Sequence, residues 1–219
     1  MLNNRFHLCY RVILTFLFFS IFCYLSHAGS PGRNLLIDDF DYDSEGVSAA
    51  RANWVEQGQT DEVELGIGNY VGSIQMLANF STINGGSTKL AYWNRSFESS
   101  PLDLSSYTTI ELSIYSPDLS PVTKFYIYLR SGSQDWYRFS ISPAEVSTSG
   151  FGAIVLDMKS AAVEDYGTLG DTPGWKDIQH IRIAATAASD EDTDAIFFLK
   201  DLKFKGRQHC VIKHNDDRL

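Results

Sequence analysis

Cysteine is nearly absent from the chain, which excludes two common ways of stabilising a small domain. The 219-residue sequence has three cysteines, and two of them, Cys9 and Cys23, lie within the first 28 residues. The remaining Cys210 then has no partner for an intramolecular disulfide, and one thiolate cannot assemble a structural zinc site. We therefore expect a hydrophobic core to stabilise the fold.

Basic residues are scarce relative to acidic ones. Lys and Arg number 18 against 27 Asp and Glu, which gives a net charge of -9 at pH 7. Because an acidic protein is repelled by nucleic-acid phosphates and by anionic lipids, nucleic acids and membrane surfaces are not expected as partners. Aromatic residues are plentiful by contrast, with 14 Phe, 11 Tyr and 4 Trp.

One long apolar run is present, and it is too short to span a bilayer as a helix. Residues 12–25 are mostly apolar, whereas a membrane-spanning helix needs about 20 such residues. The run follows Arg5 and Arg11 and precedes Ser26-His27-Ala28, the pattern of a cleavable secretory signal peptide over residues 1–28. An uncleaved membrane anchor is the alternative. Cleavage would leave a chain of charge -11 in a secreted, periplasmic or extracellular location, with no stable membrane insertion.

Helical periodicity is missing from the rest of the chain, and alternation of apolar and polar residues takes its place. Only residues 49–56 and 160–165 are compatible with a turn or two of helix. The extended runs are separated by turns rich in Gly, Asn, Asp and Ser, and they cover residues 70–80, 89–93, 110–115, 124–130, 136–141, 153–158, 178–185 and 195–204. This pattern predicts an all-β fold, a single antiparallel β-sandwich over residues 29–205 followed by a polar disordered tail over 206–219.

Two neighbouring runs predict a hairpin with an unusual outer face. Their alternate positions are apolar and are expected to enter the core: Phe125, Ile127, Leu129, Tyr137, Phe139 and Ile141. The opposite positions carry Tyr126, Tyr128, Arg130, Trp136 and Arg138. His180 and Arg182 alternate with Ile181 and Ile183 in the same way. Aromatic rings stack on sugar rings, and Arg binds sugar hydroxyls, so we expect this face to bind a ligand unless a second layer or a loop covers it.

Four stretches in order resemble the carbohydrate-binding modules that have a galactose-binding-like β-jelly-roll fold. Leu36 to Asp41 is similar to their first strand, and Pro101 to Tyr107, leading into residues 108–115, is similar to the start of a central strand. Gly174 to Ile178 with Ile181 to Ile183 resembles a late strand. Ile196 to Phe204 resembles the closing strand, although Lys200 stands where an acid is often found beside Asp201.

The resemblance implies a non-catalytic module that binds a polysaccharide or glycan and commonly accompanies a polysaccharide-active enzyme. It also implies one structural Ca²⁺ where the first and last strands meet. The matching acids are Asp39, Asp41 and Asp201, with Asp38 and Asp43 as substitutes, since Ca²⁺ takes six to eight oxygen ligands. A solvated acidic edge is the alternative for these residues.

Three other interpretations remain open at this point. A hydrolase or lyase would need a pair of carboxylates, for which Glu62 with Glu64, or the acids at 190, 192 and 194, are the candidates. A structural or protein-interaction sandwich would use the aromatic face for packing. A sugar site on the rim of the sandwich would involve Trp54. For Trp93, a ligand site at the end of a sheet and a packing role are equally favoured. Trp175 is expected to pack.

Overall fold

Alternation of apolar and polar residues produces two antiparallel sheets that pack face to face. The computed structural model describes residues 33–58, 60–82, 88–132, 135–165 and 175–206. Within these ranges, Asn34–Gly206 forms one compact unit. The predicted signal peptide and the predicted tail lie outside the described residues, except for Gly206, which ends the last strand.

The described residues form twelve strands and one α-helix. Their bounds are β1 Asn34–Asp38, α1 Val47–Asn53, β2 Val55–Gly58, β3 Glu64–Leu65, β4 Ile74–Ala78, β5 Thr88–Ser96, β6 Tyr107–Tyr115, β7 Lys124–Ser131, β8 Asp135–Ile141, β9 Gly152–Asp157, β10 Ala162–Asp165, β11 Ile178–Ala188 and β12 Ala195–Gly206. None of the helices in the described residues is long and apolar enough to cross a membrane.

Each sheet has six strands. The back sheet has the order β3-β4-β12-β6-β9, and β1 also pairs with β12. The front sheet has the order β10-β8-β7-β11-β5-β2. Only β7 and β8 in the centre of the front sheet are neighbours in both sequence and space, whereas β11 reaches its place between β7 and β5 from far along the chain. This is an antiparallel jelly-roll sandwich, so the predicted fold class is confirmed.

The core lies between the two sheets, and aromatic edge-to-face contacts join them at its centre. The ring of Phe197 on β12 lies 5.3 Å from that of Phe125 on β7 and 5.4 Å from that of Trp93 on β5, both nearly perpendicular. This is the geometry that the ring quadrupole favours. The six predicted core residues of β7 and β8 are all buried, which confirms the predicted parity of the hairpin.

Several short segments differ from their predicted structure. The stretch 160–165, predicted as a possible helical turn, instead contains β10, which pairs with β8 at the edge of the front sheet. Only Ile74–Ala78 of the extended run 70–80 is a strand, because short 3₁₀ turns flank it. The helix predicted within 49–56 is α1, and it ends at Asn53 before β2 begins at Val55.

The carboxylate of Asp38 ties the two sheets together near the end of β1. Its Oδ1 accepts a hydrogen bond from the backbone N–H of Phe40 at 2.7 Å. Its Oδ2 accepts from the Tyr42 hydroxyl at 2.5 Å and from Trp54 Nε1 at 2.8 Å, and it pairs with the guanidinium of Arg95 on β5. Burial, and then the hydrogen bond to Asp38, raise the pKa of Tyr42 far above its usual value.

We predict that Asp38→Ala destabilises the domain by about 3 kcal/mol, because it leaves the guanidinium of Arg95 and three further donors without their buried acceptor. Urea unfolding followed by tryptophan fluorescence measures this loss. Asp190→Ala, in the exposed turn between β11 and β12, is the matched control and is expected to change the stability little. Equal stability losses for the two variants would show that Asp38 does not anchor the fold.

Candidate functional site

The outer face of the front sheet brings all seven predicted ligand residues onto one surface. Along one cross-strand row, Arg182 on β11 lies between Asn94 on β5 and Tyr128 on β7, and Tyr128 pairs with Arg138 on β8. The next row contains, from β5 to β8, Ser96, His180, Arg130 and Trp136, and the row on the other side contains Tyr92, Ala184, Tyr126 and Ser140. The structure therefore places these side chains together, as the alternation predicted.

An open cleft of about 290 Å³ crosses this face. Residues from α1 and β2 line it at one side of the sheet, and Arg130 and Trp136 line it at the other. Between them lie residues of the two strands β5 and β11. Among the described residues, the lining consists of Ala52, Asn53, Val55, Gln57, Asn94, Arg95, Ser96, Arg130, Trp136, His180 and Arg182. Tyr126, Tyr128 and Arg138 share the face but do not line the cleft.

Arg182 occupies the centre of the face and is held by two aromatic rings. Its guanidinium carbon lies 4.1 Å from the ring centre of Tyr92 and 4.2 Å from that of Trp136. Its Nε donates a hydrogen bond of 2.8 Å to Oδ1 of Asn94. Cation–π contacts at these distances and a fixed hydrogen bond immobilise a side chain that is normally flexible. The arginine is therefore preorganised in the cleft.

The aromatic rings of the face pack against one another and against arginine side chains. Tyr128 is only 8% exposed; its ring meets that of Trp136 edge to face at 6.0 Å and lies 5.6 Å from that of Tyr126. The guanidinium carbon of Arg138 lies 5.4 Å from the ring centre of Tyr126. The sequence predicted rings that are exposed to solvent on this face. The structure corrects this prediction, because arginine side chains lie over several of the rings.

Glu98, two residues after the end of β5, pairs with both His180 and Arg130. Its Oε1 lies 2.8 Å from Nε2 of His180 and 3.0 Å from Nη2 of Arg130. The hydrogen bond from His180, with a smaller contribution from Arg130, lowers the pKa of the Glu98 carboxyl. The carboxylate thereby orients two side chains of the cleft while it is itself exposed.

Sequence reasoning missed the contributions of β5, β2 and α1 to the cleft. Tyr92, Asn94 and Ser96 alternate with the buried residues Ala91 and Trp93, so the parity of β5 contained the necessary signal. That signal required Trp93 to be assigned to the core, which the sequence left undecided. The position of α1 beside the cleft depends on contacts with distant residues, and no local pattern encodes it.

The tryptophans other than Trp136 are packing residues. Trp54 is fully buried, so the predicted rim site around it is wrong; its indole is needed inside as a donor to Asp38. Trp93 is also fully buried and donates to the carbonyl of Asp61 at 3.1 Å. Trp175 stacks on Tyr137 with ring centres 3.9 Å apart, which confirms its predicted packing role.

The acids predicted to bind Ca²⁺ are not assembled into a cluster in the described part of the chain. Within those ranges, no group of three or more His, Cys, Asp or Glu side chains is placed to hold a metal ion. The Lys200 amine and the Asp41 carboxylate both lie 3.8 Å from where a Cβ on Gly72 would be, so a lysine lies near one of the predicted ligands. Asp39 is exposed, and Asp201 adopts a left-handed backbone conformation at a bulge in β12. The donor set present does not fit a preformed site, and calcium stays a prediction of the sequence.

The acids considered for catalysis lie away from the cleft. Glu62 and Glu64 both form ion pairs with Arg51 of α1. Asp190 and Asp192 lie in the exposed turn before β12, and Asp194 accepts a hydrogen bond from the backbone N–H of Ser81.

Comparison with known proteins identifies the fold of the chain. No family model matches the chain, and no curated protein matches it. Among solved structures, it is similar to a family 11 carbohydrate-binding module from Clostridium thermocellum in complex with a β-1,3-1,4-mixed-linked tetrasaccharide, with 17% identity and a TM-score of 0.56 over 82% of this chain and 99% of that one. The family 11 module of the cellulosomal cellulase Lic26A-Cel5E of the same organism gives 18% identity and a TM-score of 0.55 over 81% and 97%. The chain thus has the jelly-roll fold of these carbohydrate-binding modules.

Proposed function

We propose that this domain binds a glycan in the cleft of the front sheet, without catalysis. The observation that carries the proposal is the cleft itself, which combines an indole on one side with a floor of fixed hydrogen-bonding groups. The part-exposed Trp136 offers apolar surface to a sugar ring. Asn94, His180 and Arg182 offer the donors and acceptors that orient sugar hydroxyls. One structural neighbour is in complex with a β-1,3-1,4-mixed-linked tetrasaccharide, which makes polysaccharides with this linkage the first ligands to test.

Binding rather than hydrolysis is favoured by the composition of the cleft. Glycoside hydrolysis usually requires two carboxylates about 5 to 10 Å apart on either side of the scissile bond. None of the described residues that line the cleft is Asp or Glu. Glu98, at its margin, is already bound to His180 and Arg130. This arrangement supports a module that holds a polysaccharide.

The setting proposed for this activity is outside the cytoplasm. The support is the signal-peptide pattern of residues 1–28, together with the polymeric nature of the proposed ligand. A module of this kind increases the local concentration of a polysaccharide-active enzyme on its substrate, and such an enzyme is the proposed partner.

We predict that Trp136→Ala weakens glycan binding by about tenfold or more, because it removes the exposed ring of the cleft and one of the two rings that hold Arg182. Affinity gel electrophoresis on a panel of neutral and acidic polysaccharides, with mixed-linked β-glucan included, measures the change. Phe151→Ala is the matched control, since Phe151 is an exposed aromatic residue before β9 of the back sheet.

Two outcomes of this experiment contradict the proposal. Unchanged retention of a folded Trp136→Ala variant would place the site elsewhere. Failure of the wild-type protein to bind any polysaccharide of the panel would favour a structural or protein-interaction sandwich whose aromatic face is covered by a partner.

Calcium is proposed only as a stabilising ion, on the resemblance and on the acids of β1 and β12. If it binds, the melting temperature rises with added Ca²⁺ relative to protein in chelator, because a ligand bound only by the folded state stabilises that state. Asp201→Asn should abolish the increase. Superimposable calorimetric transitions with Ca²⁺ and with chelator would remove calcium from the account and leave the glycan site untouched.

A further inference from the structure

Glu98 lies beside the cleft, in a turn that is fastened to β11. The backbone N–H of Phe97 donates to the carbonyl of Gln179 at 2.6 Å, and Leu102 exchanges two backbone hydrogen bonds with Ile178, at 2.9 and 3.1 Å. The turn is therefore held on both sides of Glu98 against a strand that contributes to the cleft. A carboxylate on such a support can fix its partners although its own side chain is 58% exposed.

The imidazole of His180 has one nitrogen engaged by Glu98 and one available to a ligand. Its Nε2 lies 2.8 Å from Oε1 of Glu98, and Nδ1 makes no hydrogen bond with the described residues. The hydrogen bond from His180 lowers the pKa of the Glu98 carboxyl, so Glu98 is ionised at neutral and mildly acidic pH. Because an ionised carboxylate only accepts hydrogen bonds, the neutral imidazole carries its proton on Nε2. Nδ1 is then a hydrogen-bond acceptor.

An acceptor is valuable here because donors outnumber acceptors among the described side chains that line the cleft. Arg95, Arg130 and Arg182 have donors alone. The Oδ1 atom of Asn94 already accepts from Arg182. Each sugar hydroxyl donates as well as accepts, so a glycan in this cleft needs acceptors for its own O–H groups. Nδ1 of His180 can supply one.

The charge on His180 is the property of this cleft that changes near neutral pH. The described charged groups near it lie on the turn after β5, on β5, on β7 and on its own strand: Glu98, Arg95 with its partner Asp38, Arg130 and Arg182. Trp136 of β8, with ring centres 6.4 Å apart, adds no charge. The guanidiniums stay protonated and Glu98 stays ionised, whereas histidine is the side chain whose charge changes between about pH 5 and 8.

We propose that Glu98 is a positioning residue of the glycan site, which holds His180 with Nδ1 as the acceptor for a sugar hydroxyl and so makes glycan binding sensitive to pH. This inference rests on the proposed glycan-binding function and adds its regulation. Protonation of Nδ1 replaces the acceptor with a donor, and the resulting imidazolium must lose water beneath a sugar ring. Both effects weaken binding at acidic pH.

The pH dependence of binding by the full chain tests the inference. The ligand is the polysaccharide of the panel that the wild-type protein retains most strongly at about pH 7.5, with mixed-linked β-glucan tried first. We expect its affinity, measured by isothermal titration calorimetry, to fall about three- to tenfold between about pH 7.5 and about pH 5.5, which corresponds to one hydrogen bond. His180→Asn, whose amide is neutral at every pH, should bind more weakly and lose this pH dependence.

Substitutions of Glu98 distinguish positioning from a merely structural role. Glu98→Gln keeps an acceptor for Nε2 without the charge that favours the imidazolium, so the midpoint of the pH profile should move to more acidic pH. Glu98→Ala removes the acceptor and should bind about threefold or more weakly at about pH 7.5, and the glutamine substitution should recover part of this loss. Asp190→Asn, in the exposed turn between β11 and β12, removes the same charge and should reproduce the wild-type profile.

A measurement on the wild-type protein gives the same information without substitution. The ring C–H signals of His180, identified by their absence from the spectrum of His180→Asn, are followed by NMR through a pH titration with and without the polysaccharide. Because linkage is reciprocal, a ligand that prefers the neutral imidazole shifts the midpoint of this titration to more acidic pH.

The outcomes distinguish failure of the inference from failure of the proposed function. Affinity that is independent of pH, or higher at about pH 5.5, would overturn the inference and leave glycan binding in place. A profile of Glu98→Gln with an unmoved midpoint, or a His180 titration that the ligand does not shift, would also overturn it. Absence of binding to every polysaccharide of the panel would overturn the proposed function and with it the inference.

Discussion

The buried carboxylate of Asp38 is the interaction on which the position of the cleft depends. It lies at the end of β1 in the back sheet and pairs with Arg95 of β5 in the front sheet. Through Trp54 it also holds the chain where α1 ends and β2 begins. Arg95, α1 and β2 together form one side of the cleft. A buried ion pair of this kind adds modest net stability, but it fixes the geometry, because removing either partner leaves a charge in the interior.

The opposite side of the cleft is organised by cation–π contacts between strands of the front sheet. The pleat sends Tyr92, Arg182 and Trp136 to the same side of the front sheet from three different strands. The arginine fills the space between the two rings, so the face is ordered without being apolar. This arrangement explains how one sheet of the protein presents a surface that combines arginine and aromatic side chains.

Local pattern predicted the fold and four of the described residues that line the cleft, and long-range strand pairing determines the others. The parity of β7 and β8 could be read from sequence because a strand has a period of two, and it assigned core and outer residues correctly. The short strands β2, β3 and β10 escaped prediction because two to four residues hold too little pattern. The pairing of Tyr92 with Arg182 escaped it too, since β5 meets β11 only through a register that spans about ninety residues of chain.

The acids near the end of β1 and in β12 match the calcium pattern in their sequence order, but in the described residues they do not form a cluster that could hold a metal ion. Their order along the chain is what the sequence resemblance associates with calcium, but the Asp38 carboxylate is already bound by Arg95, Tyr42 and Trp54, and the Lys200 amine lies near the Asp41 carboxylate. Spacing in the sequence could not reveal which carboxylate is already paired. In this protein Asp38 at the end of β1 positions the cleft through Arg95 and Trp54.

The four indole N–H signals of the protein provide the most direct test of whether the cleft is the ligand site. A ¹⁵N NMR titration with glycan oligosaccharides, neutral and acidic, follows them individually. We expect the Trp136 signal to shift in a saturable way while those of the buried Trp54 and Trp93 stay in place. A saturable ligand that leaves the Trp136 signal unmoved and shifts residues of the back sheet instead would contradict it.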